Sequence, residues 1–161
     1  GNSLFFEMRY DDNEKKINDF VLNNEPYNHS SILIVGKNFG CGSSREHAAW
    51  ALLDFGIQCV IGTSFADIFY NNCFKNGMLP IILDEKEIDE LIEYSKRKEN
   101  IEINLPNEDI LFGNKRIKFE IESFRKKCLL NGLDDIALSL EKSDKISLYE
   151  KELEAKKPWI N

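Results

Sequence analysis

The chain has 161 residues, 42% hydrophobic and 30% charged, a length that accommodates one domain but not two with separate cores. Its 21 basic and 28 acidic residues give a formal charge of −7 and a pI near 5.0, which argues against a nucleic-acid backbone as the main partner. No apolar run approaches the ~18–20 residues that cross a bilayer, and Gly1-Asn2-Ser3-Leu4-Phe5-Phe6 lacks the basic and apolar regions of a signal peptide, so a cytoplasmic protein away from membranes is expected.

The chain opens without Met and Leu4-Phe5-Phe6 begins abruptly, so an N-terminal segment is expected to have been removed or left out. From Ser31 the pattern becomes regular. Ser31 to Val35 is a short apolar run ending at Gly36, which predicts a strand buried on both faces. A glycine-rich loop, Gly36 to Ser44, leads into a predicted helix from about Arg45 to Phe55, with Ala48, Leu52 and Phe55 on one side and Gly56 as its stop. Cys59 to Gly62 reads as a second buried strand. Ala66 to Asn76 reads as a helix with a stripe of Ala66, Phe69, Tyr70, Cys73 and Phe74. Leu79 to Leu83 is a third strand, and Asp84 can cap the helix after it, in which Ile88, Leu91 and Ile92 face inward. Strands alternating with helices at this spacing imply a parallel sheet with βαβ crossovers.

Beyond residue 100 the period changes to two. Ile101, Ile103 and Leu105 alternate with polar residues, as do Ile117, Phe119 and Ile121, around the turn signal Gly113-Asn114. Antiparallel strands with one wet face are expected. Charged helical stretches close the chain, with Ile146, Tyr149 and Leu153 at helical spacing. The expected fold class is therefore α/β, a parallel βαβ portion followed by an antiparallel portion.

Cys41, Cys59, Cys73 and Cys128 are far apart in sequence, and the only imidazoles are His29 and His47. Nothing reads as a zinc or cluster ligand set, so no metal is expected on this chain and the thiols are expected to be reduced, mostly core residues.

The segment that can carry chemistry is Gly36-Lys37-Asn38-Phe39-Gly40-Cys41-Gly42-Ser43-Ser44-Arg45-Glu46-His47. It joins a buried strand to a helix, the end of an α/β sheet where ligands bind. Gly40 and Gly42 let the backbone approach a ligand, and the unpaired N–H groups of a helix start favour an anion. A structural alternative stands beside this. Ser43-Ser44-Arg45-Glu46 fits a capping box with Ser43 as N-cap and Glu46 at N3. Against a mere cap, Arg45 places a cation where the helix dipole disfavours it, and two hydroxyls beside a guanidinium suit a carboxylate held in a fork. The dinucleotide fingerprint, the P-loop and the G-x-S-x-G elbow all fail on the residues after Gly42. Asn71 and Asn72 are expected at a helix end, with a place lining the cleft as the alternative, Cys41 as a small filler, Asp134 and Asp135 as a helix start, and Arg125-Lys126-Lys127 as a solvated run. His29 belongs to no motif.

Asn38 to Ala48 resembles the signature loop of the aconitase swivelling-domain family. Ser64 to Asn72 and Asn76 to Pro80 resemble its next segments. Asp19 to Asn23 and Phe124 to Ile136 resemble the small subunits of bacterial isopropylmalate dehydratases, so the likeness covers nearly the whole chain. It implies an aconitase-like swivelling β/β/α domain over residues 1–161, lacking the upstream segment that in relatives completes the domain and carries a specificity loop. It also implies a separate large subunit holding a [4Fe-4S] cluster, whose open iron acts as Lewis acid on a small dicarboxylic hydroxy acid. Ser43 would be the general base, used as an alkoxide. Ser44, Arg45 and Gly42 would hold a substrate carboxylate, while Asn38, Gly40, Glu46 and His47 support the loop. The expected reaction interconverts 2- and 3-isopropylmalate through an alkene, in leucine biosynthesis. Two alternatives remain open: the small subunit of a homoaconitase or a 2-methylmalate (citraconate) hydratase, and a non-catalytic carboxylate-binding module.

Overall fold

The computed structural model describes residues 3–157 and residue 159. A short helix α1 (Phe6–Arg9) and two 3-10 turns precede strand β1 (Ile32–Ile34). Then follow α2 (His47–Phe55), β2 (Cys59–Gly62), α3 (Asp67–Lys75), β3 (Leu79–Ile82) and α4 (Glu85–Ser95). Next come β4 (Ile101–Asn104), β5 (Asp109–Phe112) and β6 (Lys115–Lys118), and finally α5 (Ser123–Asn131), α6 (Asp135–Leu140) and α7 (Ser143–Lys156). Strands β1, β2 and β3 form a parallel sheet in that order, and β4, β5 and β6 an antiparallel one.

The expected change from parallel to antiparallel pairing is thus present, and the layers follow from the side-chain alternation of β2. Cys59 and Ile61 point into a core shared with Leu79, Ile81, Leu91, Ile110 and Phe112, so one face of the parallel sheet meets α4 and the antiparallel sheet. Val60 points the other way, into a core with Leu52, Phe69, Cys73 and Met78 from α2 and α3. This is a β/β/α sandwich. The strand buried on both faces is β2, whose four residues are all buried. The same expectation for β1 is corrected: it is an edge strand and its three residues are only half-buried. Pro80 sits in β3, the opposite edge, where the missing N–H costs no ladder bond.

Helix ends follow local chemistry. Gly56 ends α2 in a left-handed conformation (φ +111°), its N–H donating to Leu52 and Leu53 carbonyls. Within α2 it is Ala49 and Leu52 that are buried, one position on from the expected Ala48. Asp84 caps α4 in a reciprocal box, accepting from the Glu87 N–H at 2.9 Å while Glu87 Oε2 accepts from the Asp84 N–H at 3.2 Å. Ile88 and Leu91 of that helix are buried, but Ile92 is exposed. Asp134 starts α6 as expected, accepting from the Ala137 N–H at 2.7 Å.

The basic run at 125–127 is not simply solvated. Arg125 stacks over the rings of Phe74 (4.5 Å) and Tyr70 (5.1 Å) and donates to Asn71 Oδ1 at 2.9 Å. Lys126 donates to Glu108 at 2.6 Å and to the Pro106 carbonyl at 2.8 Å. These contacts fasten α5 to α3 and to the β4–β5 turn, so Asn71 serves an inter-helix contact.

Candidate functional site

The loop from Val35 to Glu46 leaves the carboxyl end of β1 and is fixed at its base by the corresponding end of β2. The Asn38 N–H donates to Ser64 Oγ at 2.8 Å, the Phe39 N–H donates to the Ser64 carbonyl at 3.1 Å, and the Ala66 N–H donates to the Phe39 carbonyl at 2.9 Å. Asn38 adopts φ +55°, a conformation asparagine tolerates better than most residues. Ser64 is thus the residue that anchors the loop, a role its sequence context alone had not suggested. The signal was available: Gly62-Thr63-Ser64 ends the neighbouring parallel strand, so it must emerge beside the loop that leaves β1.

The two loop glycines have different reasons. Gly40 has φ +85°, and a Cβ there would lie 2.3 Å from Phe69 Cγ, so the loop presses its backbone on the α3 ring. A Cβ on Gly42 would meet nothing within 4 Å, so at this position glycine leaves space beside Ser43 rather than relieving a clash.

Ser43 is half-buried at the turn of the loop. The expected capping box with Glu46 does not form: α2 begins later, at His47, with Glu46 as N-cap and no side-chain cap bond. Ser43 Oγ instead accepts the Arg45 N–H at 3.2 Å in a local turn. Because the helix starts later, Arg45 precedes the N-cap rather than lying in the first turn. The Glu46 carbonyl accepts from Ala49 (2.9 Å) and Trp50 (3.1 Å), and the exposed His47 ring lies 4.7 Å from that of Trp50. Trp50 in turn donates Nε1–H to Asn76 Oδ1 at 2.7 Å. Among the described residues, the N–H groups of Ser44, Glu46 and His47 find no hydrogen-bond partner, and the exposed Arg45 guanidinium finds no carboxylate.

The structure therefore brings Gly42, Ser43, Ser44 and Arg45 together on one exposed turn, with Asn38 and Gly40 anchoring its base. An unneutralised guanidinium beside unpaired N–H groups at a helix start can receive an anion, and its planar fork matches the geometry of a carboxylate. On its other side Ser43 borders a cleft of about 330 Å³ walled by Phe5, Phe39, Ala48, Ala51, Leu52 and Phe69. Polar donors on one side and an apolar cleft on the other suit a carboxylate that carries a branched hydrocarbon.

Cys41 is exposed and fills no space, contrary to the expected filler role. Cys59 and Cys73 are buried, and that burial pushes the Cys73 thiol up to about 12 and raises Cys59 as well, so both stay protonated and inert. Cys128 is half-buried; among the described residues no group of three or more His, Cys, Asp or Glu side chains is placed to hold a metal. Nor is any described helix long and apolar enough to cross a membrane.

Comparison with known proteins finds two matching segments of the chain. Residues 1–86, which include the loop, match the model of the aconitase C-terminal domain, and residues 135–161 match that of the C-terminal domain of 3-isopropylmalate dehydratase small subunits. The 3-isopropylmalate dehydratase small subunit of Pelagibacter ubique is 68% identical over 99% of this chain and 79% of its own length. That of Parvibaculum lavamentivorans is 55% identical over 99% and 81%. The crystal structure of a 3-isopropylmalate dehydratase from Methanocaldococcus jannaschii superposes with a TM-score of 0.58 at 35% identity, covering 80% of this chain and 74% of that one.

Proposed function

Because the chain belongs to the family of 3-isopropylmalate dehydratase small subunits, we propose that the turn at residues 42–45 is where it acts on substrate, with Ser43 as the general base. The activity is that of a hydro-lyase of leucine biosynthesis interconverting 2- and 3-isopropylmalate, performed with a large subunit. The observation that carries the site assignment is the unpaired Arg45 guanidinium with the free N–H groups of Ser44, Glu46 and His47 next to Ser43 Oγ.

In this reading Arg45 and the Ser44 N–H and hydroxyl take a substrate carboxylate, while Gly42 lets it approach without a Cβ in the way. Ser43 works as an alkoxide. A free serine hydroxyl is far too weak an acid for that, but the Arg45 N–H already donates to this oxygen, and the positive helix end and the guanidinium stabilise the negative charge further. The alkoxide takes the carbon-bound proton, the C–H electron pair becomes the C=C bond, and hydroxide leaves the adjacent carbon. In the second half hydroxide adds to the carbon that lost the proton, and the Ser43 hydroxyl gives its proton to the carbon that lost the hydroxide, which restores the alkoxide. In this reading the iron–sulfur cluster that such chemistry calls for would be held by the large subunit, since among the described residues no set of thiols is placed to ligate it, and no step is assigned to it here.

The apolar cleft beside Ser43 favours an isopropyl-bearing substrate over homocitrate, whose corresponding arm is charged. To test the reading, the chain is mixed anaerobically with a cluster-loaded large subunit. Alkene formation is then followed from 3-isopropylmalate, 2-methylmalate and homocitrate in parallel. Activity on isopropylmalate that vanishes with Ser43→Ala is expected. Activity retained in that variant sinks the base, and activity on none of the three despite complex formation leaves a carboxylate-binding module.

A further inference from the structure

Helix α7 has no buried residue, and of its fourteen side chains only Leu153 is even half-buried. Ile146, Tyr149 and Leu153 lie on one side of it at helical spacing, with Ile146 and Tyr149 exposed, and Leu148 is exposed on the other side. The preceding α6 holds Ile136 and Leu140 out to solvent one turn apart, 70% and 65% exposed. A helix of this length is marginal in water without packing, since isolated helices shorter than ~12–15 residues barely form. Exposed apolar side chains on two consecutive helices call for something to cover them.

We infer that α6 and α7 form the surface by which this chain docks on its large subunit. Two observations name that occupant. The first is where the relatives divide. The portion with the catalytic turn matches a domain that in aconitase is the C-terminal part of a longer chain, whereas the match to the domain specific to small subunits begins at residue 135, the first residue of α6. A module that is a separate subunit needs a non-covalent hold where a fused domain has a tether, and the small-subunit segment supplies the exposed apolar surface. The second is size. Ile136, Leu140, Ile146 and Tyr149 together expose roughly 500 Å² of largely apolar surface, more than half of the ~800 Å² each partner contributes to a standard interface. On α7 the exposed Glu150 and the Glu152–Lys156 ion pair (3.5 Å) flank this side.

The inference rests on the chain acting as a small subunit, and the test separates the two. Affinity for the large subunit is measured for the unaltered chain, for Ile146→Glu/Tyr149→Glu, for Ile136→Glu/Leu140→Glu, and for Met8→Gln, which removes an exposed apolar side chain elsewhere. Each double variant is expected to weaken binding at least 100-fold and Met8→Gln to leave it unchanged, with activity returning when a double variant is added in excess. Hydrogen exchange on the unaltered chain is expected to slow across residues 136–156 in the complex, a readout independent of whether any variant keeps its helices. Double variants that bind as the unaltered chain does, with no exchange protection, overturn the surface. So does a self-association of the unaltered chain that the variants abolish while large-subunit binding persists, because a second copy then covers the face. If the unaltered chain fails to bind the large subunit at all, the small-subunit reading falls with it.

Discussion

Twelve residues separate β1 from α2 and only two separate β3 from α4, although both connections leave the carboxyl end of one parallel sheet. At α4 the Asp84 and Glu87 side chains satisfy each other's backbone N–H groups, and the helix start is complete. At α2 the N-cap Glu46 makes no side-chain bond, the Ser43 hydroxyl is spent on the Arg45 N–H, and three nearby N–H groups remain free. The difference teaches where to look for ligands in such a sheet: a helix start whose donors are consumed by its own side chains has none to offer, and one whose donors are left over has them available to a ligand.

Substitutions can break or sharpen that contrast. The largest effect is expected from Ser43→Ala, a loss of kcat of about 10³-fold, the scale of a lost general base, with an unchanged melting temperature because Oγ caps nothing. Were stability to fall by the ~1 kcal/mol of a lost N-cap while turnover survived, the two helix starts would be of one kind after all. Gly40→Ala drives a Cβ to 2.3 Å from Phe69 Cγ at a positive φ, and about 3 kcal/mol of destabilisation is expected, read as a drop in Tm of about 6–12 °C. Gly42→Ala is its counterpart: no contact within 4 Å implies an unchanged Tm, with the added methyl felt only as weaker substrate binding. Arg45→Lys keeps the charge but loses the planar fork, and a KM higher by about 10–30-fold at unchanged stability is expected in steady-state kinetics. The smallest effect belongs to Asp84→Ala, about 1 kcal/mol in urea unfolding with no change in activity.

The same contrast explains what could be read from the chain alone. Ser43-x-x-Glu46 and Asp84-x-x-Glu87 both match the local pattern of a capping box, and only the second forms one. What decides between them is not local. Gly40 is pressed on Phe69 and Asn38 is tied to Ser64 twenty-six positions away, which sets where the loop ends before α2 can begin. Elements governed by nearby residues were legible: β2 at its observed limits, the Gly56 stop, the Asp84 cap. Strand β5 was not singled out, because Asp109-Ile110-Leu111-Phe112 lacks alternation and starts on a carboxylate that is nevertheless buried, facing Lys118 at 3.4 Å and Arg116 at 3.5 Å. Arg125 read as solvated for a similar reason, since its partners Tyr70, Asn71 and Phe74 come from a different helix. The residues of the candidate turn were legible by type and spacing and Ser64 could have been found from its place at the end of the neighbouring strand, whereas the wall of the cleft needed the third dimension.

The bridge that ties Phe39 to the Ser64–Ala66 segment has a consequence for timing. Ordering a residue's backbone costs roughly 1–2 kcal/mol, and for the base of this loop that cost falls during folding rather than at the moment of encounter. A preorganised turn gives up little affinity to ordering when a carboxylate arrives. The base of the turn is thus a fixed mount, so any adjustment to a ligand falls on residues 42–45 rather than on the whole loop.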